Sequence, residues 1–441
     1  MSSLLLVDSP AAAHKLRALV GEGWQVQVAP HVLLELPRNR LGVAVREGFA
    51  LTYQLPFRHQ PTLKRLQKAA ATAKEVYLAL GDDLSAWMVV ETLKLSQETK
   101  VNLVKLETLS AEGWPQALAG ARPLDPKAVE AAKARRAADR LVSYLLTPLL
   151  HKRLAQPLKI DRLGLVMLSL LVNHEARLSA AQAGCSLVAR LETPEGSFEA
   201  TLTHLGGKRV YSFSKAQAAQ LVERLSGASF WVKTVLSREQ PPAPPLTLAS
   251  LMAQAEAKWA WAPLRTAAIC RILFEASWLT GGETIQPTDP ARTPHEDDTL
   301  ADGAKVYKLI WEQQHQPHTL TQRGVRVEVG AQLGSPFPLE WRAVETKSQP
   351  LPPLSDGQVF SGVILEVHSQ TPLHFSRGTL LSRLVQGGVG EALTCARALE
   401  RLESSGLVHL QGRALLPTSL GRKVHERLTV PGGMWMQAQG A

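Results

Sequence analysis

Five tyrosines, three scattered cysteines and a pair of aspartates ahead of a helix are the side chains with which this 441-residue chain could do covalent or metal chemistry. Asp82-Asp83 follow the apolar run Glu75–Leu80 and precede the helical pattern Ser85–Leu93, so they read as helix caps. Tyr77 and Tyr307 lie in apolar patterns and read as core, whereas nothing around Tyr53 or Tyr211 constrains them. No Ser/His/Asp signature, phosphate-cradling loop or GxGxxG after a strand is present, so these residues alone spell out no enzymatic mechanism. One arrangement does suggest a ligand. Lys133, Arg136 and Arg140 fall at i, i+3 and i+7 of the helical pattern 128–145, on one face. Such a stripe is either a solvated surface or a row of cations that follows a phosphate backbone.

The charge balance supports a polyanionic partner. Net charge is +10 with a pI near 9.6, and the excess is concentrated in two windows. Arg38–Lys74 holds eight Lys/Arg against the single Glu47, and Lys127–Arg162 holds nine against Glu130, Asp139 and Asp161. An aromatic content of 5% gives little support for base stacking, so phosphate contact is the better expectation. Cys185, Cys270 and Cys395 form no CxxC pair, which argues against a zinc ribbon or a disulfide framework and suits a reducing compartment. The opening residues lack the basic region of a signal peptide, and no apolar run reaches the ~18–20 residues of a membrane helix. The expected location is cytoplasmic.

These residues must be positioned by several domains, because 441 residues exceed one ordinary domain. Up to about residue 110 short apolar runs alternate with helical patterns, which predicts an α/β domain with a mainly parallel sheet: strand Ser3–Val7, helix Ala11–Val20, strand Glu75–Leu80, helix Ser85–Leu93. The Pro/Ala/Gly-rich stretch 114–128 reads as a linker, and Pro126 to about Ala176 as helical with a turn at Gln156-Pro157. From Cys185 to Ser212 the period becomes two, giving antiparallel strands, and a second β-rich block follows at about 324–368. The helical stretch 247–313 therefore interrupts a β domain. The tail predicts a helix (379–404), a hairpin (Leu407–Leu410 and Arg413–Leu416) and a helix (Ser419–Leu428), an order that suits a winged-helix-like module.

Short motifs in collinear order from about 5 to 428 resemble type IA DNA topoisomerases. Val7-Asp8-Ser9-Pro10-Ala11 resembles the opening "VESPA" of that family's TOPRIM domain, and Tyr77–Leu93 resembles "YLATDPDREGEAIAWHL". Pro30-His31-Val32 with Glu35-Leu36-Pro37 resembles "GHVRDLP", and Ala134–Tyr144 resembles "ARRVLDRLVGY". Leu158–Val166 keeps only the Arg of "LSAGRVQSV", as Arg162, and Leu415, Pro417, Thr418, Leu420 and Gly421 resemble "LYPTELG". Ala268–Thr280 resembles the segment that leads to the catalytic tyrosine, "YEEGLITYMRTDS". Gly282–Pro290 resembles "HEAIRPTDP". In the family a strand-capping domain that starts with the tyrosine lies between these two. Here only Gly281-Gly282 joins Thr280 to Glu283, so the resemblance implies that the tyrosine is deleted.

The resemblance implies a multidomain fold: a TOPRIM (Rossmann-like) α/β domain at 1–112, and a mainly-α DNA-groove domain at 125–184 and 370–430 with the winged-helix-like tail. A β arch at 185–246 and 314–369 and a helical remnant of the capping domain at 247–313 complete it. With the insert gone the toroid is expected to be open rather than closed, with the end near 266–290 exposed for a partner. Of the metal-binding carboxylates in DxDxE, only the second is matched, by Asp83; Gly81 and Trp87 stand for the others, and Asp8 replaces a Glu. No cofactor is expected, the alternative being a residual Mg²⁺ site on Asp8 and Asp83. The DNA-binding residues implied are Lys15, His31, Lys133, Arg136, Arg140 and Arg162. The function expected is that of a catalytically inactive topoisomerase-like protein. It would bind DNA, single-stranded by expectation, as an accessory subunit of a DNA-processing or plasmid-transfer complex. Two alternatives stay open: a protein-interaction scaffold with a decayed DNA groove, and a nicking or relaxing enzyme with an unrecognised nucleophile.

Overall fold

The computed structural model describes residues 3–30, 33–95, 98–154, 158, 160–180, 184–240, 246–294, 301–315, 320–329, 339–346, 350–370 and 373–428. The chain forms two compact units, one of Met1–Val172, Pro245–Gln314 and Phe375–Ala441, the other of Asn173–Pro244 and His315–His374.

The first unit opens on a four-stranded parallel sheet in the order Trp24–Val28, Ser3–Val7, Glu75–Ala79, Lys100–Leu103. Leu4, Leu5, Leu6 and Val7 are all buried because helices cover both faces, the usual reason for an unbroken apolar strand. Leu4, Leu6, Val76 and Leu78 enter one core cluster, while Leu5, Val7, Val26 and Ala79 enter another. The strand Ser3–Val7 leads at once into helix Pro10–Leu19, with Ser9 as its cap and Pro at its first position. The stretch read as a linker is partly structural: Gly113–Ala119 is a helix that buries Trp114 and Ala117 against this sheet. One tryptophan in an otherwise Pro/Ala/Gly-rich segment is enough to anchor it.

Helix Pro126–Leu141 starts under an Asp125 cap and passes through a π-helical turn, Val142–Leu146, into Thr147–Leu154. Arg162–Ala180 follows, and the turn expected at Gln156-Pro157 lies outside the described residues. Arg162–Ala180 shares a core with the tail helices through Leu163, Met167, Leu168, Leu381, Leu399 and Leu402. The tail differs from the single helix expected over 379–404. It forms Arg377–Gln386 and Ala392–Ser404, separated at Gly387–Gly390, where Gly388 takes φ +67°. A hairpin of Val408–Gln411 and Ala414–Pro417 and helix Ser419–Leu428 complete it.

Helices Leu248–Trp259, Pro263–Glu275 and Ala301–Gln314 bury a core of their own that includes Leu251, Leu273, Val306 and Tyr307. The expectation that 266–290 stands as an exposed end is overturned. Glu275 accepts a hydrogen bond from the Ser9 hydroxyl at 2.8 Å, and Lys15 donates to Ser277 Oγ at 3.0 Å. Ser277 in turn donates to the Leu109 carbonyl at 2.9 Å, and Phe274 packs into the core beneath the parallel sheet. Phe274 carries the apolar part of this contact, while Cys270 and Leu273 of helix Pro263–Glu275 lie in the core of the three helices.

The second unit is an antiparallel sheet built from two stretches of sequence. Its order is Val359–Phe360, Phe230–Gln240, Leu320–Val329, Leu339–Val344, Gly196–Leu205, Gly184–Thr193, Ile364–Gln370, with the short Lys208–Arg209 on Gly196–Leu205. Alternate residues such as Leu187, Ala189, Val325, Val327 and Trp341 form its core, the pattern the period of two predicts. Among the described residues no helix is long and apolar enough to cross a membrane.

Candidate nucleic-acid interface

Strand Glu75–Ala79 delivers Asp82 and Asp83 to the start of helix Asp83–Leu93, but the two carboxylates do different work. Asp82 caps the helix, accepting from the Ser85 amide at 2.7 Å and from its hydroxyl at 3.1 Å. Asp83 is gripped by Arg122, whose two terminal nitrogens donate to its oxygens at 2.9 and 2.8 Å, and the Asp125 amide adds a bond of 2.9 Å. Asp8 is exposed beyond the end of Ser3–Val7. At the third family position stands Trp87, its ring 3.8 Å from the Lys133 ammonium and 5.9 Å from the Tyr53 ring. Mg²⁺ demands a near-octahedral shell of oxygens. A carboxylate already bound by a guanidinium, and an aromatic in place of the third, do not provide one. Among the described residues no three His, Cys, Asp or Glu are grouped closely enough to hold a metal ion.

The hydrogen bonds from Arg122 hold the Asp83 carboxyl below its usual value of 3.8. A carboxylate depressed in the folded state stabilises the fold above its ordinary pKa, and that contribution disappears as pH falls through the lower folded value. Asp83→Asn is therefore expected to unfold at lower urea concentration than the parent at pH 7, with the gap closing below about pH 4. An identical gap at pH 7 and pH 3 would remove the ion pair from the account.

No tyrosine is placed for nucleophilic attack by its partners. Tyr307 is 1% exposed and donates to the Arg292 carbonyl at 3.0 Å, and Tyr77 donates to Glu75 at 3.0 Å. Tyr144 reaches the Asn39 carbonyl at 3.5 Å. Burial pushes the Tyr53 phenol above its usual value. Tyr211 alone is open, 73% exposed, with the Arg209 guanidinium 5.0 Å from its ring. The position after Thr280, where the resemblance sets the nucleophile, is closed. The Gly281 amide donates to the Glu107 carbonyl at 2.6 Å, and a Cβ there would meet Phe274 at 2.8 Å and the Leu106 carbonyl at 3.3 Å. Gly281-Gly282 can span at most ~7 Å, so no domain fits between Thr280 and Glu283.

The cations predicted to meet phosphate are largely engaged within the chain. Arg140 donates from Nε to the Leu41 carbonyl at 2.9 Å and from Nη2 to those of Arg40, at 2.7 Å, and Pro37. Arg136 donates to the Leu34 carbonyl at 3.2 Å and lies 5.3 Å from the Tyr53 ring. Lys133 pairs with Glu130 at 2.8 Å besides covering Trp87, and Arg162 pairs with Asp139 at 2.7 Å. Lys15 holds Ser277, and His31 lies outside the described residues. Arg136 and Arg140 thus fasten helix Pro126–Leu141 to the loop 34–41. Sequence reasoning placed these residues on one face and missed what the face meets; it also missed Arg122, which no periodic signal marks.

Comparison with known proteins agrees with this architecture. A family model described as DNA topoisomerase matches residues 123–282. The chain is 26% identical to DNA topoisomerase 1 of Synechocystis sp. over 532 aligned positions, covering 95% of this chain and 59% of the relative. The alignment is longer than this chain's 441 residues, so the relative carries segments with no counterpart here. The solved structure of full-length topoisomerase I from Thermotoga maritima superposes with a TM-score of 0.78 at 18% identity, over 97% of this chain and 82% of that one. The fold is that of a type IA topoisomerase. In sequence as well as in fold, the chain is similar to type IA DNA topoisomerases.

Proposed function

We propose that this chain binds single-stranded DNA without cleaving it and serves as an accessory subunit of a DNA-processing complex. The observation that carries the reading is Gly281: its amide is bonded to Glu107, and Phe274 and Leu106 fill the space a side chain would need. The Arg122 grip on Asp83 supports it independently. In this reading the parallel domain is TOPRIM-like and 247–313 descends from the capping domain. The deleted insert between Thr280 and Glu283 is the argument for an open toroid; the Ser9, Lys15 and Leu109 contacts withdraw only the exposed end at 266–290. Lys133, Arg136, Arg140, Arg162 and Lys15 are structural first, and phosphate contact by them falls to donors left over, such as Nη1 of Arg140.

That engagement of the predicted cations favours one competing reading, a protein-interaction scaffold. Fluorescence anisotropy of a labelled oligothymidylate at increasing salt separates the two. DNA binding predicts affinity that falls steeply, each neutralised phosphate contributing about −0.7 to the log–log slope. Absence of binding at low salt would leave the scaffold. A nicking enzyme is the third reading, and the exposure of Tyr211 makes it the residue to test.

A further inference from the structure

The most basic stretch of the chain also holds side chains that stand in water at a cost. The hairpin Val43–Ala44 and Ala50–Leu51 closes through residues 45–49, where Val45 is 49% and Phe49 50% exposed; Phe57, a little further along, is 84% exposed. Phe49 has φ +62°, a conformation uncommon for any residue with a side chain and an outlier for a bulky one. The turn fixes it there, since the Phe49 amide donates to the Ala44 carbonyl at 3.1 Å and the Ala50 amide to Glu47 at 3.3 Å. Gly48 before it takes φ +63° without steric penalty. Folding alone would favour Gly or Asn at 49. A strained backbone that presents a phenyl ring to solvent points to a role in binding.

The surroundings indicate the chemistry of what is bound. Arg40 and Arg46 are exposed on the same segment and form no ion pair among the described residues. Arg58 pairs with Glu35, and Arg38 lies 3.9 Å from the same carboxylate. The sequence from Arg38 to Lys74 holds eight cations and one acidic residue, Glu47, so Glu35 and Glu47 leave most of this charge unbalanced. Aromatic rings on the same segment as Arg40 and Arg46 complement a chain that is both polyanionic and rich in free π-faces. A single nucleic-acid strand has both, whereas a duplex keeps its bases stacked on one another.

We propose that segment 38–60 is a stacking contact for single-stranded DNA, with Phe49 and Phe57 receiving bases and Arg40 and Arg46 receiving phosphates. The inference rests on the DNA-binding reading above and assigns it a surface other than the Lys133–Arg140 stripe. Because stacking uses faces common to every base, the contact is indifferent to sequence.

Phe49→Gly makes the test clean, since it removes the ring and relieves the backbone together. The variant is expected to melt at a higher temperature than the parent yet bind oligothymidylate about tenfold more weakly, within the range found for loss of one base–aromatic stack. Phe57→Ala should weaken binding comparably without a change in melting temperature. If the parent protein binds no oligothymidylate at low salt, the DNA reading fails and this proposal with it. If the parent binds and both variants bind equally well, the stacking contact is wrong while the DNA reading stands. Tighter binding of oligouridylate would reassign the ligand to RNA and overturn the assignment. Conversion of a dimer to a monomer by Phe49→Gly, with DNA affinity unchanged, would overturn it in favour of self-association.

Discussion

Replacing Glu256 by alanine is expected to lower stability by about 3 kcal/mol, read as a shift of the urea midpoint, because hydrogen bonds to a charged group contribute ~1.5–3 kcal/mol. Glu256 is 4% exposed and lies on helix Leu248–Trp259. It accepts from the Ser376 hydroxyl at 2.7 Å, the Arg377 amide at 3.1 Å and the Gly378 amide at 2.6 Å, and so caps helix Arg377–Gln386 from another part of the chain. The approach is close: a Cβ on Gly378 would stand 2.4 Å from the Ala253 Cα. Without the carboxylate the two amides lose their acceptor where water has little access. Glu256→Gln, which keeps an oxygen acceptor but no charge, should fall between the parent and the alanine variant. An unchanged midpoint in Glu256→Ala would show that the helix start is satisfied some other way.

The second large effect concerns the arginine stripe. Arg136→Ala combined with Arg140→Ala is expected to lower stability by about 3 kcal/mol, a figure discounted because both guanidinium groups are only half-buried. The carbonyls of Leu34, Pro37, Arg40 and Leu41 lose their donors together. At temperatures where the double variant is folded, its affinity for single-stranded DNA should be close to that of the parent. A uniform loss of affinity across sequences with stability unchanged would return these arginines to the phosphate backbone.

The contacts behind these two predictions separate what the sequence carries from what it does not. Apolar periodicity and caps are local, so the strand Ser3–Val7 and the helix from Ser9-Pro10 were legible, and the tail hairpin was placed within one residue. The spacing of Lys133, Arg136 and Arg140 gave the shared face correctly. Long-range partners were not legible. Arg122 lies 39 residues from Asp83, and Ser9 lies 266 from Glu275, with no pattern joining either pair. The break between the tail helices was signalled by Gly387-Gly388 but outweighed by the helical pattern on both sides. At 5% of the composition the aromatics were set aside, although the exposure of Phe49 and Phe57 depends on position and not on number.

The central claim is that DNA is held and not cut, and relaxation of supercoiled plasmid in the presence of Mg²⁺ tests it most directly, with denaturant trapping of any covalent protein–DNA adduct. The account predicts unrelaxed, unnicked plasmid and no adduct, since Gly281 holds the place behind Thr280 and Arg122 occupies Asp83. Relaxation that depends on Mg²⁺ and is abolished by Tyr211→Phe would contradict it.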